Sequence, residues 1–304
     1  MNYKHKALSA LLAAAMVFSL AGCGSASSAA PASSSAASSP ASSASTAPAS
    51  SLIAESDLSE TALQAIAKIK EKGVLTISTE SKYAPFCFKD NDLNIVGFEP
   101  TLMQYLADDL GVKLNIQDVD FTAVIPAIQS GEADIGMAGM VKTAERAEVV
   151  DFTQPYHMSG QCVMVLKDNA ATFTSFDSFA GKTLGAQKGT LQETILHEQF
   201  PDSNAKILDK VPDLVQLLQL GEIDGLIIAV DPAGPYLASH EELATVDPGI
   251  VIDPETNGQV ACVAKGNEGL VEYLNAVFAK LSADGTLDGW YADAVTLSNE
   301  QNAA

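Results

Sequence analysis

The chain has 304 residues and a formal net charge of −21, from 17 Lys and Arg against 38 Asp and Glu. So acidic a chain lacks the basic face with which nucleic-acid-binding proteins neutralise phosphates, which excludes that class. A hydrophobic fraction of 47% excludes a fully disordered protein. Four cysteines without a paired CxxC and four histidines without HExxH disfavour a disulfide scaffold and a metal site.

Residues 1–22 have the pattern of an export signal. Lys4 and Lys6 precede the apolar run 7–20, which is too short to span a membrane as a helix. The run ends in Leu20-Ala21-Gly22-Cys23, where small residues precede a single cysteine as in a bacterial lipoprotein box. This motif predicts that Cys23 is lipidated and begins the mature chain. The alternative is an ordinary signal peptide with a chance cysteine.

A tether is predicted over residues 23–56, after the anchor. Residues 24–51 comprise 13 Ser, 10 Ala, three Pro, one Thr and one Gly. Such a segment buries too little apolar surface to offset its ordering entropy, so we expect it to be disordered. A lipid and a long tether predict an extracytoplasmic protein held at the outer face of the cell membrane.

The folded part is predicted to begin at about Asp57, and its pattern alternates strands with helices. In chain order we expect a strand at 74–78, a helix at 101–110 closed by Gly111, a strand at 113–119, a helix at 121–129 and a strand at 134–138. Such alternation is typical of α/β folds with parallel sheets and crossover helices.

A four-residue echo suggests that the α/β unit occurs twice. Gly131-Glu132-Ala133-Asp134 and Gly221-Glu222-Ile223-Asp224 each lie between a predicted helix and an apolar run. In both, the glycine suits the residue after a helix and the apolar run suits a buried strand. Two such sheets predict two lobes with a ligand cleft at the carboxyl ends of their strands.

Arg146 is the single arginine in a chain with 16 lysines. Arginine offers a planar fork that matches a carboxylate through two hydrogen bonds, which lysine cannot reproduce. A carboxylate ligand is one interpretation of Arg146, and a structural salt bridge is the other.

Several motifs, in order along the chain, resemble those of the family 3 extracellular solute-binding proteins, the polar amino acid receptors of ABC importers. The motifs are Tyr83-Ala84-Pro85-Phe86, Val96-Gly97-Phe98-Glu99, Ile125-Pro126-Ala127, Gly131-Glu132-Ala133-Asp134, Ala138-Gly139-Met140, Thr143-Ala144-Glu145-Arg146, Asp151-Phe152-Thr153-Gln154-Pro155-Tyr156, Gly181-Lys182, Gly189-Thr190 and Ala283-Asp284-Gly285-Thr286-Leu287. The resemblance covers essentially all of residues 70–295.

The resemblance implies a two-lobed, type II periplasmic-binding-protein-like fold, in which two sheets with flanking helices are joined by a two-strand hinge. Lobe 1 would comprise residues 57–160 with 263–298 returning to it, and lobe 2 residues 161–262, before a tail at 299–304. The crossovers would lie near 160–165 and 258–264. Cys162 and Cys262 fall on them, where they form either a disulfide clamp or, as we expect, buried thiols.

The resemblance also implies roles for residues that match the family's ligand contacts. Arg146 matches the arginine that pairs with the ligand α-carboxylate, and Thr190 and Leu191 match donors to the same group. Thr190 also begins the pattern of a helix cap, and a helix N-terminus is a natural anion site. Gly139 matches a backbone contact of the α-amino group, with Met140 beside it. Val141 stands where the family usually has Ser or Thr.

Four further residues complete the predicted site. Tyr83 and Phe121 match aromatics that sandwich the ligand side chain, with core packing as the alternative. Glu80 matches a contact of polar side chains, unless it forms a solvated pair with Lys82. The family's acid for the α-ammonium would fall on Ala229, so Asp231, two residues on, is the nearest candidate.

The function implied is a lipoprotein that captures a free, polar amino acid by lobe closure and delivers it to the membrane subunits of an ABC permease. Neither a catalytic activity nor a cofactor is implied, and we expect a monomer. The alternative is a secreted enzyme on the same fold, resembling cyclohexadienyl or arogenate dehydratases, with Glu80 as general acid.

Overall fold

The computed structural model describes residues 52–253 and 257–302. The predicted export signal, Cys23 and the tether as far as Ser51 lie outside the described residues. The described part of the chain forms nine α-helices: α1 Glu60–Lys72, α2 Phe98–Leu110, α3 Val124–Gln129, α4 Ala144–Val149, α5 Leu191–Gln199, α6 Val211–Gln219, α7 Val230–Ser239, α8 Glu268–Ala283 and α9 Thr286–Asn302. None of these is both long and apolar enough to cross a bilayer.

Twelve strands complete the regular structure of the same residues: β1 Val74–Thr79, β2 Phe88–Lys89, β3 Ile95–Val96, β4 Lys113–Asp118, β5 Ile135–Gly136, β6 Val150–Phe152, β7 Gln161–Leu166, β8 Thr183–Gln187, β9 Asn204–Leu208, β10 Gly225–Ala229, β11 Leu243–Val246 and β12 Cys262–Ala264. They build two five-stranded sheets and the small β2-β3 ribbon.

The first sheet and its helices form lobe 1. Its strand order is β4-β1-β5-β12-β6, with β1 parallel to β4 and β5 and with β12 antiparallel to β5 and β6. Buried side chains of α1, α2, α8 and α9 cover one face, and those of α3 cover the other. Because both faces are covered, β1 is an almost continuous buried run without alternation.

The second sheet and its helices form lobe 2. Its order is β11-β7-β10-β8-β9, with β8 parallel to β9 and β10 and with β7 antiparallel to β10 and β11. Helices α6 and α7 pack on one face and α5 on the other. The two-lobed α/β fold is therefore confirmed. The sheets are mixed and not wholly parallel, because β7 and β12 enter from the connections between the lobes.

Two connections join the lobes, one between β6 and β7 and one between β11 and β12. They pair where His157 and Gln259 form an antiparallel bridge. The Gln259 N–H donates to the His157 carbonyl at 2.7 Å, and the Tyr156 N–H donates to the Gln259 carbonyl at 2.9 Å. This pairing forms the two-strand hinge.

Two predicted helix starts differ from the observed ones, and proline explains both. Helix α2 begins at Phe98, before Pro100, and the predicted helix at 121–129 begins as a 3-10 turn, Phe121–Ala123, before α3. Proline lacks an N–H but is tolerated in the first helical turn, where that N–H has no internal acceptor. Pro100 and Pro126 each lie in such a turn.

The ends of the folded part extend further than predicted. Ile53, assigned to the tether, is buried in the lobe 1 core, and the Leu52 N–H donates to Asp109 Oδ1 at 2.6 Å. At the other end, α9 continues to Asn302, so the predicted tail at 299–304 is helical as far as the structure describes it. The burial of the Ile53 side chain stabilises this segment on lobe 1, although the neighbouring sequence is polar.

The three described cysteines, Cys87, Cys162 and Cys262, are free and buried. Cys162 lies in β7 of lobe 2 and Cys262 in β12 of lobe 1. The expectation of buried thiols is confirmed, and the disulfide clamp is wrong, because the two residues belong to different sheets.

Candidate functional site

A cavity lies between the lobes, with about 520 Å³ of empty space when the part open to solvent is included. Its walls come from the carboxyl ends of β1, β5, β8 and β10 and from the residues that follow them, where open α/β sheets bind ligands. The described lining residues are Glu80, Tyr83, Phe121, Ala138, Gly139, Met140, Val141, Arg146, Ser159, Gln161, Gln187, Thr190, Leu191, Gln192, Ala229, Asn257, Gly258 and Gln259. Nine of the ten predicted ligand contacts are among them, and Asp231 is not.

Arg146 in α4 connects the two lobes beside the cavity. Its guanidinium donates to the carbonyl of Val141 in lobe 1 at 2.6 Å and to that of Gly189 in lobe 2 at 2.6 Å. The guanidinium carbon lies 5.2 Å from the ring centroid of Phe121, within cation–π range. Burial lowers the pKa of the Arg146 guanidinium.

No carboxylate forms a salt bridge with Arg146 within the described part of the chain. The structural salt bridge considered from the sequence is therefore absent there. A partly buried cation that is satisfied only by two carbonyl groups is suited to take an anionic partner.

Glu80, directly after β1, is the acidic counterpart in the cavity. Its side chain is buried, and Oε2 accepts a hydrogen bond from Gln187 Nε2 of lobe 2 at 2.8 Å. Oε1 has no hydrogen-bond partner among the described residues. Burial raises the pKa of the Glu80 carboxyl, while the Gln187 hydrogen bond and Lys82 oppose that rise.

Lys82 pairs with a different acid. Its Nζ lies 3.3 Å from Asp120 Oδ1, and Glu80 is only 3% exposed. The solvated Glu80–Lys82 pair considered from the sequence is therefore wrong. An unpaired, buried oxygen requires a donor, so Glu80 is suited to bind a cationic or N–H group of a ligand.

Gly139 and Tyr83 are fitted to each other in the cavity wall. Gly139 has φ +59°, and a Cβ atom there would lie 2.8 Å from the Tyr83 ring. The Gly139 N–H donates to Glu99 Oε1 at 2.7 Å, which leaves its carbonyl as the group to offer a ligand. Glu99 is fully buried, also accepts from the Tyr156 hydroxyl, and has its pKa raised by burial.

Thr190 caps α5 at the lobe 2 wall. Its hydroxyl oxygen accepts from the Glu193 N–H at 3.4 Å, and its O–H donates to the Gln187 carbonyl at 2.7 Å. Glu193 Oε2 accepts from the Gly189 N–H, one residue earlier than in a standard capping box. The N–H groups of Thr190 and Leu191 belong to the helix start, where no internal acceptor exists.

Asp231 lies outside the cavity, in the first turn of α7. Its Oδ2 is 2.8 Å from His157 Nε2 at the hinge. Burial acts to raise the pKa of Asp231, but hydrogen bonds from His157, Ser159 and Tyr291 outweigh it, so the net shift is downward. The cavity position at the end of β10 belongs to Ala229.

Sequence reasoning missed the four glutamines of the lining: Gln161, Gln187, Gln192 and Gln259. Gln187 ends the buried strand β8, and a polar residue at the carboxyl end of an apolar run is the signal that would have identified it. Glu99 carried a similar signal, as an acid among the apolar positions of α2. The described residues contain no cluster suited to a metal ion.

Known proteins resemble this chain in sequence and in fold. The L-cystine-binding protein TcyJ of Escherichia coli strain K12 is 29% identical over 233 residues, 75% of this chain and 86% of TcyJ. The arginine-binding extracellular protein ArtP of Bacillus subtilis strain 168 is 32% identical over 222 residues, 71% of this chain and 84% of ArtP.

A solved structure is similar over nearly the whole of its length. It is an amino acid ABC transporter substrate-binding protein from Streptococcus pneumoniae bound to L-arginine, with a TM-score of 0.73 and 31% identity over 76% of this chain and 98% of that one. The family model of the bacterial extracellular solute-binding proteins, family 3, matches residues 75–294. Because that model spans most of the chain, this protein belongs to the family 3 bacterial extracellular solute-binding proteins.

Proposed function

We propose that this protein is a lipid-anchored receptor that captures a free, polar amino acid outside the cell and delivers it to an ABC permease. One observation carries the proposal: in the part of the chain that the structure describes, the cavity between the two lobes holds one cation without a carboxylate partner and one carboxylate with an unpaired oxygen. Arg146 and Glu80 are those groups. An amino acid supplies the complement of both, because it carries a carboxylate and an ammonium.

The contacts divide the ligand between the lobes. Arg146 would take the α-carboxylate, with the helix start at Thr190 and Leu191 as further donors from lobe 2. The ligand α-carbon would be bordered by the backbone of Gly139 and Met140 and by the side chain of Val141. Tyr83 and Phe121 would enclose the side chain.

The relatives support the choice of ligand class and partner. The three proteins named above bind cystine or arginine, and the solved structure belongs to an ABC transporter. A membrane permease is therefore the proposed recipient.

A thermal-shift screen of the twenty amino acids and cystine tests the ligand class. A ligand at ~100 times its Kd adds about 2.7 kcal/mol to the free energy of unfolding, so binding raises Tm measurably. We expect at least one amino acid to do so. If none does, the receptor proposal fails.

The anchor is tested by changing Cys23 to Ala. Without the thiol no lipid can be attached, so the protein should move from the detergent phase to the aqueous phase of a cell extract. Ser25→Ala, just after the lipoprotein box, is the matched control and should stay in the detergent phase. Continued detergent partitioning of Cys23→Ala would contradict lipidation.

One observation favours the dehydratase-like alternative: burial raises the pKa of Glu80, as a general acid requires. Incubation of the purified protein with prephenate and arogenate separates the two functions. We expect both compounds to remain unchanged, whereas turnover that is lost in Glu80→Gln would support the enzyme.

A further inference from the structure

The cavity between the lobes is balanced in charge. Among its described lining residues Arg146 is the one cation and Glu80 the one acid. Nearby ionisable side chains have other partners: Lys82 forms an ion pair with Asp120, Asp231 is hydrogen-bonded to His157, and Glu193 accepts from the Gly189 N–H.

Lobe 2 places an uncharged side chain in the cavity wall at the carboxyl end of β10. Ala229 ends β10, is buried and lines the cavity. Glu80, from lobe 1, therefore serves whatever cationic group a ligand carries. The Phe121 ring adjoins the cation, since its centroid lies 5.2 Å from the Arg146 guanidinium carbon.

A buried charge without a partner is strongly unfavourable. The presence of one cation and one acid in the lining therefore restricts the charges that a ligand can carry. One carboxylate on Arg146 and one cation on Glu80 complete the cavity. Arginine or lysine brings a second cation. Whichever of its two nitrogen groups lies on Glu80, the other has no acid among the described lining residues.

The remaining polar groups of the lining are neutral. Gln192 Nε2 donates to Gln161 Oε1 at 2.8 Å, and Gln187 joins Glu80 to the carbonyl of Asp209. Gln259 is buried, and its Oε1 has no partner in the part of the chain that the structure describes. Amide groups donate and accept equally, which suits an uncharged side chain that does the same.

We propose that this site selects amino acids with no net charge and a hydrogen-bonding side chain, and that it rejects the cationic amino acids that two of the named relatives bind. The inference rests on the proposed function and specifies the substrate class of the same site. The reason is the charge count: one buried acid cannot serve two cations.

The matched ligand pair is L-arginine and L-citrulline, which have nearly the same shape but differ in a guanidinium against a neutral ureido group. Calorimetric titration of the purified protein with both, beside the twenty amino acids and cystine, gives the order of affinities. We expect every ligand within tenfold of the best to be net-neutral at pH 7. Arginine should be weaker than citrulline by at least about 30-fold, the loss for an unpaired buried charge.

A second acid should reduce this preference. Ala229→Asp places a carboxylate at the end of β10, so the affinity for arginine relative to citrulline should rise at least tenfold. Ala229→Asn has the same size without the charge and should retain the wild-type preference. Because Ala229 is buried, the wild-type comparison of arginine with citrulline stands as the test even where a variant does not fold.

Glu255 is tested by a separate variant, because residues 254–256 are outside the described part of the chain and the next residue, Asn257, lines the cavity. Glu255→Gln should leave the affinity for the best ligand within about threefold, and a tenfold loss would overturn the charge count. Equal or tighter binding of arginine than of citrulline in the wild type would also overturn the inference, while leaving the receptor function intact. Absence of any amino acid ligand would instead end the proposed function.

Discussion

The two lobes are built alike at one end of their sheets. Asp134 before β5 and Asp224 before β10 each accept a backbone N–H from the neighbouring strand, from Thr76 and Thr183, both at 2.8 Å. Each aspartate also pairs with a lysine, at 2.8 Å in lobe 1 and 3.4 Å in lobe 2. The four-residue echo in the sequence therefore marks a repeated structural joint between a helix and a buried strand.

At the carboxyl ends of the same strands the lobes differ. Lobe 1 supplies both charged groups of the cavity, Arg146 and Glu80, and both aromatic walls. Lobe 2 supplies the start of α5, the amide of Gln187 and the methyl group of Ala229. The scaffold is duplicated, but the charge is not: one lobe binds the ionic groups and the other closes over them with neutral hydrogen bonds.

The largest expected effect is that of Arg146→Ala on ligand affinity. Removing the cation leaves the ligand carboxylate without its partner, and such a loss costs roughly 2–5 kcal/mol, or at least ~30-fold in Kd. Arg146→Lys should also lose most of the affinity, because it keeps the charge without the fork. Calorimetric titration with the best ligand of the screen measures both.

The exposed neighbour Lys142 provides the control, and Lys142→Ala should bind as the wild type does. Apo melting temperatures of the Arg146 variants should stay close to the wild-type value. Near-native affinity in Arg146→Lys would show a diffuse charge effect, and unfolding of both variants would show a structural role for Arg146.

Glu80→Gln is expected to weaken binding about tenfold, the value of about 1.5 kcal/mol at the lower end for hydrogen bonds to a charged group. A ligand cation binds the ionised carboxyl, whose pKa is raised by burial in the free protein. Wild-type affinity should therefore be full above that pKa and fall as the pH drops through it. Titrations between pH 4.5 and 8 should show this decline in the wild type but not in Glu80→Gln. A wild-type affinity that does not change with pH would show that Glu80 does not contact the ligand cation.

The repeated joint predicts similar losses of stability in the two lobes. Asp134→Ala and Asp224→Ala each leave a strand N–H without its side-chain acceptor, which should lower the free energy of unfolding by about 1 kcal/mol. Urea unfolding at pH 7 measures both, and the two losses should agree to within about 0.5 kcal/mol. A loss in one lobe alone would show that the echo is not a shared structural device.

The contact between Asp231 and His157 should have the smallest effect. The pKa of Asp231 is lowered in the folded protein, so its contribution is present above the unfolded-state pKa and is lost as the pH falls through the lower folded-state value. Asp231→Asn should thus be less stable than the wild type by up to about 1 kcal/mol at pH 7, with the difference shrinking below pH 4. Asp213→Asn, at an exposed position in the first turn of α6, is the control and should differ little. A difference that persists at pH 3 would contradict a contribution from the ionised carboxyl of Asp231.

Much of this organisation was predictable because it follows from local patterns. Apolar runs and the glycines after helices predicted β1, α2, β4 and the repeated joint, and the family resemblance predicted nine residues that line the cavity. Glu99 and Gln187 were missed, because their importance depends on contacts with residues distant in sequence, Gly139 and Glu80.

The position of Asp231 shows why a ligand contact cannot be located by counting residues from the family pattern. Ala229 ends a strand, and the next two residues, Val230 and Asp231, begin a helix. Each helical residue turns about 100°, so a side chain two positions later does not point where the strand residue points. An acid displaced by two residues across this boundary pairs at the hinge and not in the cavity.

The central claim is that Arg146 binds the α-carboxylate of an amino acid between the lobes. Titration of the wild type and of Arg146→Ala with the best ligand and with its methyl ester tests it directly, because the ester lacks the carboxylate charge. The account predicts that esterification weakens wild-type binding by at least ~30-fold and changes the affinity of Arg146→Ala by less than about threefold. Equal losses in the two proteins would contradict the claim.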